Sequence, residues 1–156
     1  MADVEFPLGL STFACGGVKY FDTYADSPDP RLVLPIRLGT WPSLISAVVD
    51  TGAPWCVFDP VLVGNLGSDI EHLQPIRKLN IRGIAYSGWL YRLPVRLEAM
   101  LGQWLEVEAT AFIPELSAGQ VWPFPNFIGL EGFLSRIRFA MDPSTNFFFF
   151  GPLDSD

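Results

Sequence analysis

The sequence predicts an all-β fold with two or three short helices, and three observations support that prediction. First, the chain has 156 residues, which is the usual length of one domain. Second, 49% of the residues are hydrophobic and only 17% are charged, a composition that excludes a disordered chain. Third, 14 glycines and 14 prolines interrupt the apolar segments, which is typical of short strands joined by tight turns.

The charge of the chain excludes several classes of partner. A net charge of -7, with no cluster of lysine and arginine, argues against binding to nucleic acid or to an anionic membrane surface. No apolar run approaches the ~20 residues that a membrane-spanning helix needs. The first five residues are acidic where a signal peptide carries lysine or arginine. We therefore expect a cytoplasmic protein that has no membrane partner.

Candidate metal ligands and redox residues are few. Cys15 and Cys56 are the two cysteines, and they form no metal-binding or redox motif. His72 is the single histidine and lies in a polar stretch, where a solvated side chain is expected. We therefore predict two reduced thiols, no metal site and no cofactor.

Apolar runs bounded by turn residues predict the order of the strands. They lie at residues 33–38, 44–49, 57–58, 78–84, 89–97, 104–113, 127–130, 138–141 and 147–150. Gly83 and Gly88 bracket a predicted hairpin loop between two of these strands. Residues 1–30 show no clear period, so we divide the chain into an N-terminal extension, 1–30, and a domain, 31–156.

Short helices are predicted at three places. Asp59 followed by Pro60 is typical of a helix start, because an aspartate caps the first turn and a proline fits the first helical position. Capping-box spacing predicts a second helix around residues 69–73. Residues 131–137 fit one or two helical turns before a closing hairpin.

The main candidate for chemistry is Asp50, which follows a buried strand and begins the loop Asp-Thr-Gly-Ala. A carboxylate placed after apolar residues has to be paired, hydrogen-bonded or protonated. A catalytic carboxylate meets that requirement, and so does an ordinary Asx turn at the end of a strand. The tripeptide Asp-Thr-Gly alone does not decide between them.

Two longer segments carry a resemblance to a known family. They are Ala-Val-Val-Asp-Thr-Gly-Ala at 47–53 and Phe-Ile-Gly-Leu-Glu-Gly-Phe-Leu-Ser-Arg-Ile-Arg-Phe-Ala-Met-Asp at 127–142. With the hairpin between them, they resemble the retropepsin-like aspartic proteases of the single-lobed, non-viral kind found in bacteria. The resemblance covers residues 35–150. It implies a small closed β-barrel of the acid-protease type that forms a two-fold homodimer.

The resemblance also implies roles for the loop. Asp50 of each chain would meet its symmetry mate, and the two carboxylates would share one proton and activate a water to hydrolyse a peptide bond. Thr51 would hydrogen-bond across the dimer axis, Gly52 would bring its backbone amide close to the carboxylates, and Ala53 would leave them room. Ile128 and Gly129 would support this loop from a neighbouring strand.

The hairpin would act as a flap that closes over an extended peptide or protein substrate. The residues assigned to the flap and its substrate contacts are Gly83, Ile84, Tyr86, Ser87, Gly88 and Trp89. The segment 147–150 is expected to be a core strand rather than part of a dimer sheet.

Alternatives remain open at this stage. In viral members of the family an acidic residue follows the alanine and an arginine follows the isoleucine-glycine pair, whereas Pro54 and Leu130 stand there in this chain. A retropepsin-like module that dimerises or binds peptides with little hydrolysis is the first alternative. An unrelated β-barrel that encloses an apolar ligand is the second, suggested by the aromatic content of 14%.

Overall fold

The computed structural model describes residues 6–23, 31–66 and 71–153. The fold is mostly β, with 51% strand and 8% helix, which confirms the predicted class. The strands are β1 Gly16–Lys19, β2 Val33–Leu38, β3 Ile45–Val49, β4 Cys56–Val57, β5 Glu71–Ile81, β6 Ile84–Leu97, β7 Leu101–Gly102, β8 Leu105–Pro114, β9 Asn126–Ile128, β10 Ile137–Asp142 and β11 Phe147–Pro152.

Six strands close into a barrel in the order β2-β3-β9-β4-β8-β6, and β6 pairs with β2 to complete the ring. β5 extends the sheet beyond β6. Alternating side chains of the barrel strands are fully buried and fill its interior. They include Leu34, Ile36, Leu38, Leu93, Val95, Leu97 and Ile128.

The second sheet has four strands in the order β10-β11-β1-β7. Phe148 and Phe150 of β11 are fully buried and belong to the main core, as expected for this strand. β1 comes from the predicted N-terminal extension, and Val18 and Tyr20 from the same region also belong to the main core. Part of the extension is therefore built into the second sheet.

The helices are short. The 3-10 helices span Pro7–Thr12 and Leu134–Arg136, and the one α-helix in the described ranges, α1, spans Pro60–Val63. Asp59 caps α1, because its carboxylate accepts a hydrogen bond from the backbone N–H of Val61 at 3.0 Å. The helix start predicted at this position is confirmed.

The helix predicted around 69–73 is wrong over its described part. Residues 71–73 begin β5 and pair with 90–92 of β6, while residues 69 and 70 lie outside the described residues. Capping-box spacing is a local signal, and here the long-range ladder with β6 overrides it.

β5 and β6 form the expected hairpin, but its turn differs from the predicted one. The turn consists of Arg82 and Gly83, whose φ angles are 51° and 83°. Two consecutive residues at positive φ make a turn whose twist matches that of paired strands. Residues 85–88, predicted as loop, are already part of β6.

Candidate active site

Asp50 is the first residue after β3, and its loop is tightly hydrogen-bonded. β3 runs parallel to β9, and the backbone N–H of Asp50 donates to the carbonyl oxygen of Ile128 at 2.9 Å. The N–H of Gly52 donates to Oδ1 of Asp50 at 2.9 Å, and the N–H of Ala53 donates to the Asp50 carbonyl at 3.2 Å. These bonds fix both the backbone and the carboxylate of Asp50.

The segment after β9 supports this loop from the side. The N–H of Leu130 donates to the Ala53 carbonyl at 2.7 Å, and the N–H of Gly132 donates to the Pro54 carbonyl at 3.0 Å. Leu130 and Pro54 are thus tied into the loop by backbone groups. No side-chain charge is needed for either contact.

Gly129 allows the two segments to approach each other. A β-carbon at this position would lie 2.1 Å from the carbonyl oxygen of Trp55 and 3.0 Å from that of Ala53. Only glycine fits without moving the backbone of the loop. Ile128 and Gly129 therefore lie directly against the Asp50 loop.

A second set of bonds holds this supporting segment to the barrel. The guanidinium of Arg136 donates to Oγ1 of Thr110 at 2.9 Å and to the carbonyl of Glu108. The N–H of Thr110 donates to the carbonyl of Gly132 at 3.0 Å. Nearby, burial raises the pKa of the Cys56 thiol to about 12.

Asp50 lies in a cleft of about 450 Å³ between its loop and the tip of the β5–β6 hairpin. Its side chain is half-buried, and the neighbouring Thr51 and Gly52 are exposed. The residues lining the cleft are Arg31, Leu32, Val48, Val49, Asp50, Gly52, Ala53, Pro54, Val57, Leu79, Asn80, Ile81, Arg82 and Phe127. Asp50 is the one acidic side chain in this set, which also contains two arginines.

The hairpin tip is held in place by aromatic side chains. The Arg82 guanidinium carbon lies 5.2 Å from the centre of the Phe124 ring, a cation–π contact. Phe124 packs edge-to-face on Trp122 and Tyr86, with ring centres 5.2 and 6.1 Å apart. The loop between β8 and β9 therefore positions the hairpin tip that lines the same cleft as Asp50.

The residues assigned to the flap from sequence lie around the hairpin but do not line this cleft. Tyr86 is buried against Trp122, with ring centres 5.2 Å apart. Ile84 and Ser87 lie in a separate pocket beside Leu116. The indole N–H of Trp89 donates to Oε1 of Glu115 at 2.6 Å. Gly83 is in the turn and Gly88 packs on β8, where a β-carbon would lie 2.4 Å from the carbonyl oxygen of Ile113.

Sequence analysis missed the cleft wall formed by residues 79–82 and the contribution of Arg31. The arginine-glycine pair at 82–83 was the available signal, because an X-Gly pair between two apolar runs is typical of a two-residue hairpin turn. Placing the turn there assigns residues 79–81 to the strand that faces Asp50.

The arrangement offers one carboxylate as an acid or base in the lining of a cleft. Within the described ranges, no three side chains of His, Cys, Asp or Glu are grouped so that they could hold a metal ion. Across the same ranges, every helix is too short or too polar to cross a membrane.

No family model matches the chain, and none of the curated proteins matches it.

Proposed function

We propose that the chain is an aspartic endopeptidase that is active as a homodimer. The observation that carries this proposal is the position of Asp50 in a cleft, on a loop fixed by bonds to its own carboxylate and to Ile128. An Asx turn alone accounts for the bond from Gly52. It does not account for the strand that braces the loop or for the hairpin tip above it.

Peptide hydrolysis by this site requires two carboxylates, and one chain supplies one. Two carboxylates within hydrogen-bond distance share a single proton over a broad pH range, because ionising both is unfavourable. The ionised member takes a proton from water as the water oxygen attacks the peptide carbonyl carbon. The protonated member donates to the carbonyl oxygen, and a proton passes to the departing amine as the C–N bond breaks.

The second carboxylate in this proposal is Asp50 of another copy. Thr51 is exposed next to Asp50, which leaves its hydroxyl accessible to a facing loop. A closed two-fold interface would bring identical loops together without any further protein.

The substrate in this proposal is an extended peptide that passes between the Asp50 loop and residues 79–82. Among the described strands β5 is the last of its sheet, and residues 79–81 of this strand line the cleft, where they offer backbone groups to a peptide. Strand addition of this kind gives affinity through main-chain hydrogen bonds and leaves selectivity to side-chain pockets.

The experiment is to assay cleavage of a mixed peptide library between pH 4 and 7 with the wild type and with Asp50→Asn. The substitution keeps the shape of the side chain and removes its acid-base chemistry, so we expect cleavage to fall by at least ~1000-fold. Glu106→Gln is the matched control, because it removes an exposed carboxylate from β8 and should leave cleavage unchanged.

Cleavage that survives Asp50→Asn would contradict the proposal, and so would a wild type that stays monomeric while it cleaves. Peptide binding without turnover by the wild type would favour the binding module instead. Measuring the distance between the two Asp50 carboxyl groups in a dimer separates these outcomes, since the shared proton requires direct hydrogen bonding.

A further inference from the structure

The β5–β6 hairpin differs in charge from the rest of the chain. Residues 72–97 contain five of the chain's 10 lysine and arginine residues and none of its 17 aspartate and glutamate residues. The whole chain has a net charge of -7, so the hairpin is a basic segment of an acidic protein. The five basic residues are Arg77, Lys78, Arg82, Arg92 and Arg96. Because opposite charges attract, this hairpin is the part of the chain that favours a negatively charged ligand.

Two of the five basic residues have acidic neighbours within the chain. Arg92 lies directly opposite Glu71 in the ladder between β5 and β6. Nε of Arg96 lies 3.5 Å from Oε1 of Glu98. The positive charge of these two side chains is matched locally, so neither of them needs a ligand to balance it.

The other three residues lie near the tip of the hairpin, and the strand separates them by face. Side chains alternate along a strand, so Arg77 shares a face with Leu79 and Ile81, which line the cleft beside Asp50. Lys78 lies on the opposite face. Arg82 follows at the turn and lines the cleft itself. The positive charge closest to the candidate site therefore belongs to Arg82.

The side chain of Arg82 is restrained but keeps its hydrogen-bond donors. Its guanidinium carbon lies 5.2 Å from the centre of the Phe124 ring. Among the residues that the structure describes, Arg82 forms no ion pair and its guanidinium donates no hydrogen bond. Its φ angle of 51° suits asparagine or glycine better than arginine. Residues held in such a conformation are concentrated at functional sites, where the side chain serves a ligand.

We infer that the cleft takes peptides that carry an aspartate or glutamate close to the cleaved bond, and that Arg82 holds this carboxylate. A planar guanidinium can donate two parallel hydrogen bonds to one carboxylate, which makes the contact specific as well as strong. Arg31 lines the same cleft and adds positive charge, but it has other interactions within the chain. Recognition is therefore assigned to Arg82.

This inference rests on the proposed function, since it names the substrate class of the same site. It makes Arg82 a residue that determines specificity, whereas Asp50 performs the chemistry. Most other residues that line the cleft are apolar. A carboxylate buried against them without a partner would lose its water for no gain, so the position of Arg82 decides where in the peptide the acidic residue lies.

The test uses peptide libraries in which one position at a time is fixed as glutamate or as glutamine, which has nearly the same shape. Mass spectrometry locates the cleaved bond. At about pH 6 the glutamate is ionised, and we expect at least one position near the cleaved bond to favour glutamate about fivefold in kcat/KM. Raising the salt concentration to about 0.5 M should reduce this preference, because salt screens a partly exposed ion pair.

Two variants test the assignment to Arg82. Arg82→Asn removes the guanidinium and suits the backbone of the turn, so the ratio between glutamate and glutamine should fall to within about twofold of one. Lys78→Asn is the matched control, because it removes the same charge from the opposite face of the same strand. It should keep the ratio of the wild type. The melting temperature of each variant shows that it is folded.

A second measurement needs no cleavage. The same libraries are passed over immobilised Asp50→Asn protein, and the retained peptides should be enriched about fivefold in glutamate at the same position. Such retention through Arg82, with no cleavage by the wild type, would refute the proposed function alone.

The remaining outcomes bear on the inference itself. Cleavage without a preference for glutamate, or a preference that Arg82→Asn leaves unchanged, would refute this inference alone. Equal losses in Arg82→Asn and Lys78→Asn would overturn it as well, because they would reflect the overall charge of the hairpin rather than a site. A protein that neither cleaves peptides nor retains those with glutamate would overturn both proposals.

Discussion

The carbonyl oxygen of Trp55 lies so close to Gly129 that a β-carbon on this residue would be only 2.1 Å from it. The contact joins the Asp50 loop to the segment that follows β9. It explains why this segment begins with glycine.

Gly129→Ala should therefore disrupt the site. Because the added methyl group meets backbone atoms on two sides, we expect the free energy of unfolding to fall by about 3 kcal/mol, and peptide cleavage should be lost with it. Urea unfolding measures the first effect. Gly64→Ala is the control, since its nearest neighbour is a carbonyl oxygen at 3.3 Å, and it should change stability by no more than ~1 kcal/mol. Equal effects of the two substitutions would contradict this account.

The hairpin tip should depend on the ring beneath it. Phe124→Ala removes the cation–π partner of Arg82 and the edge-to-face partner of Tyr86, so we expect a loss of about 1–2 kcal/mol. Residues 79–82 should then exchange their amide hydrogens faster, and KM for a peptide should rise more than kcat falls. Hydrogen exchange measures the first effect, and steady-state kinetics measures the changes in KM and kcat.

Arg82→Asn separates the turn from the cation–π contact. Asparagine adopts the positive φ of 51° more readily than arginine, so it suits the turn while it removes the guanidinium. We expect stability within about 0.5 kcal/mol of the wild type and an intact aromatic cluster. If the amide hydrogens of residues 79–82 exchanged faster in this variant than in Phe124→Ala, the aromatic rings would not be what holds the hairpin tip.

Local signals predicted much of the fold. The apolar run at 33–38 is β2, and the pair Asp59–Pro60 begins α1, because both elements follow from neighbouring residues alone. The closing hairpin of β10 and β11 was also predictable from two apolar runs and a turn between them. In these elements the local preference and the tertiary packing agree.

β1 could not be predicted because it contains no apolar pattern at its start. β-Carbons on Gly16 and Gly17 would lie 2.7 and 2.9 Å from the rings of Phe150 and Phe149, so the strand needs glycines to fit beside a distant phenylalanine run. The wall of the cleft was missed for a similar reason. Which strand of the hairpin faces Asp50 depends on how the barrel closes, and residues 79–82 carry no local sign of it.

Arg136 should contribute to stability rather than to catalysis. Its guanidinium donates to the Glu108 carbonyl and to Oγ1 of the buried Thr110, so Arg136→Met would leave both acceptors without this donor. We expect a loss of about 2 kcal/mol in the free energy of unfolding, with cleavage by the folded fraction unchanged. Thr110→Val is the companion variant, and in combination with Arg136→Met it should cost less than the sum of the two. Strict additivity would show that the two side chains do not interact.

The Cys56 thiol should make the fold less stable at high pH. Its pKa is raised to about 12 by burial in the folded protein, whereas its ordinary value is 9.0. Between these values the unfolded chain releases the proton first, so deprotonation favours unfolding. The contribution is complete below pH 9 and is lost as pH rises toward 12, at up to ~1.4 kcal/mol per pH unit.

Comparison with Cys56→Ala isolates this effect, since every other titratable group is common to both proteins. Between about pH 9 and 10.5, the wild type should lose ~2 kcal/mol more than the variant in urea unfolding. A thiol reagent at neutral pH gives an independent check, because the partly buried Cys15 should react well before Cys56, which has no exposed surface. Parallel stability curves for the two proteins, or rapid labelling of both thiols in the folded state, would show that the Cys56 thiol is not buried in the folded protein.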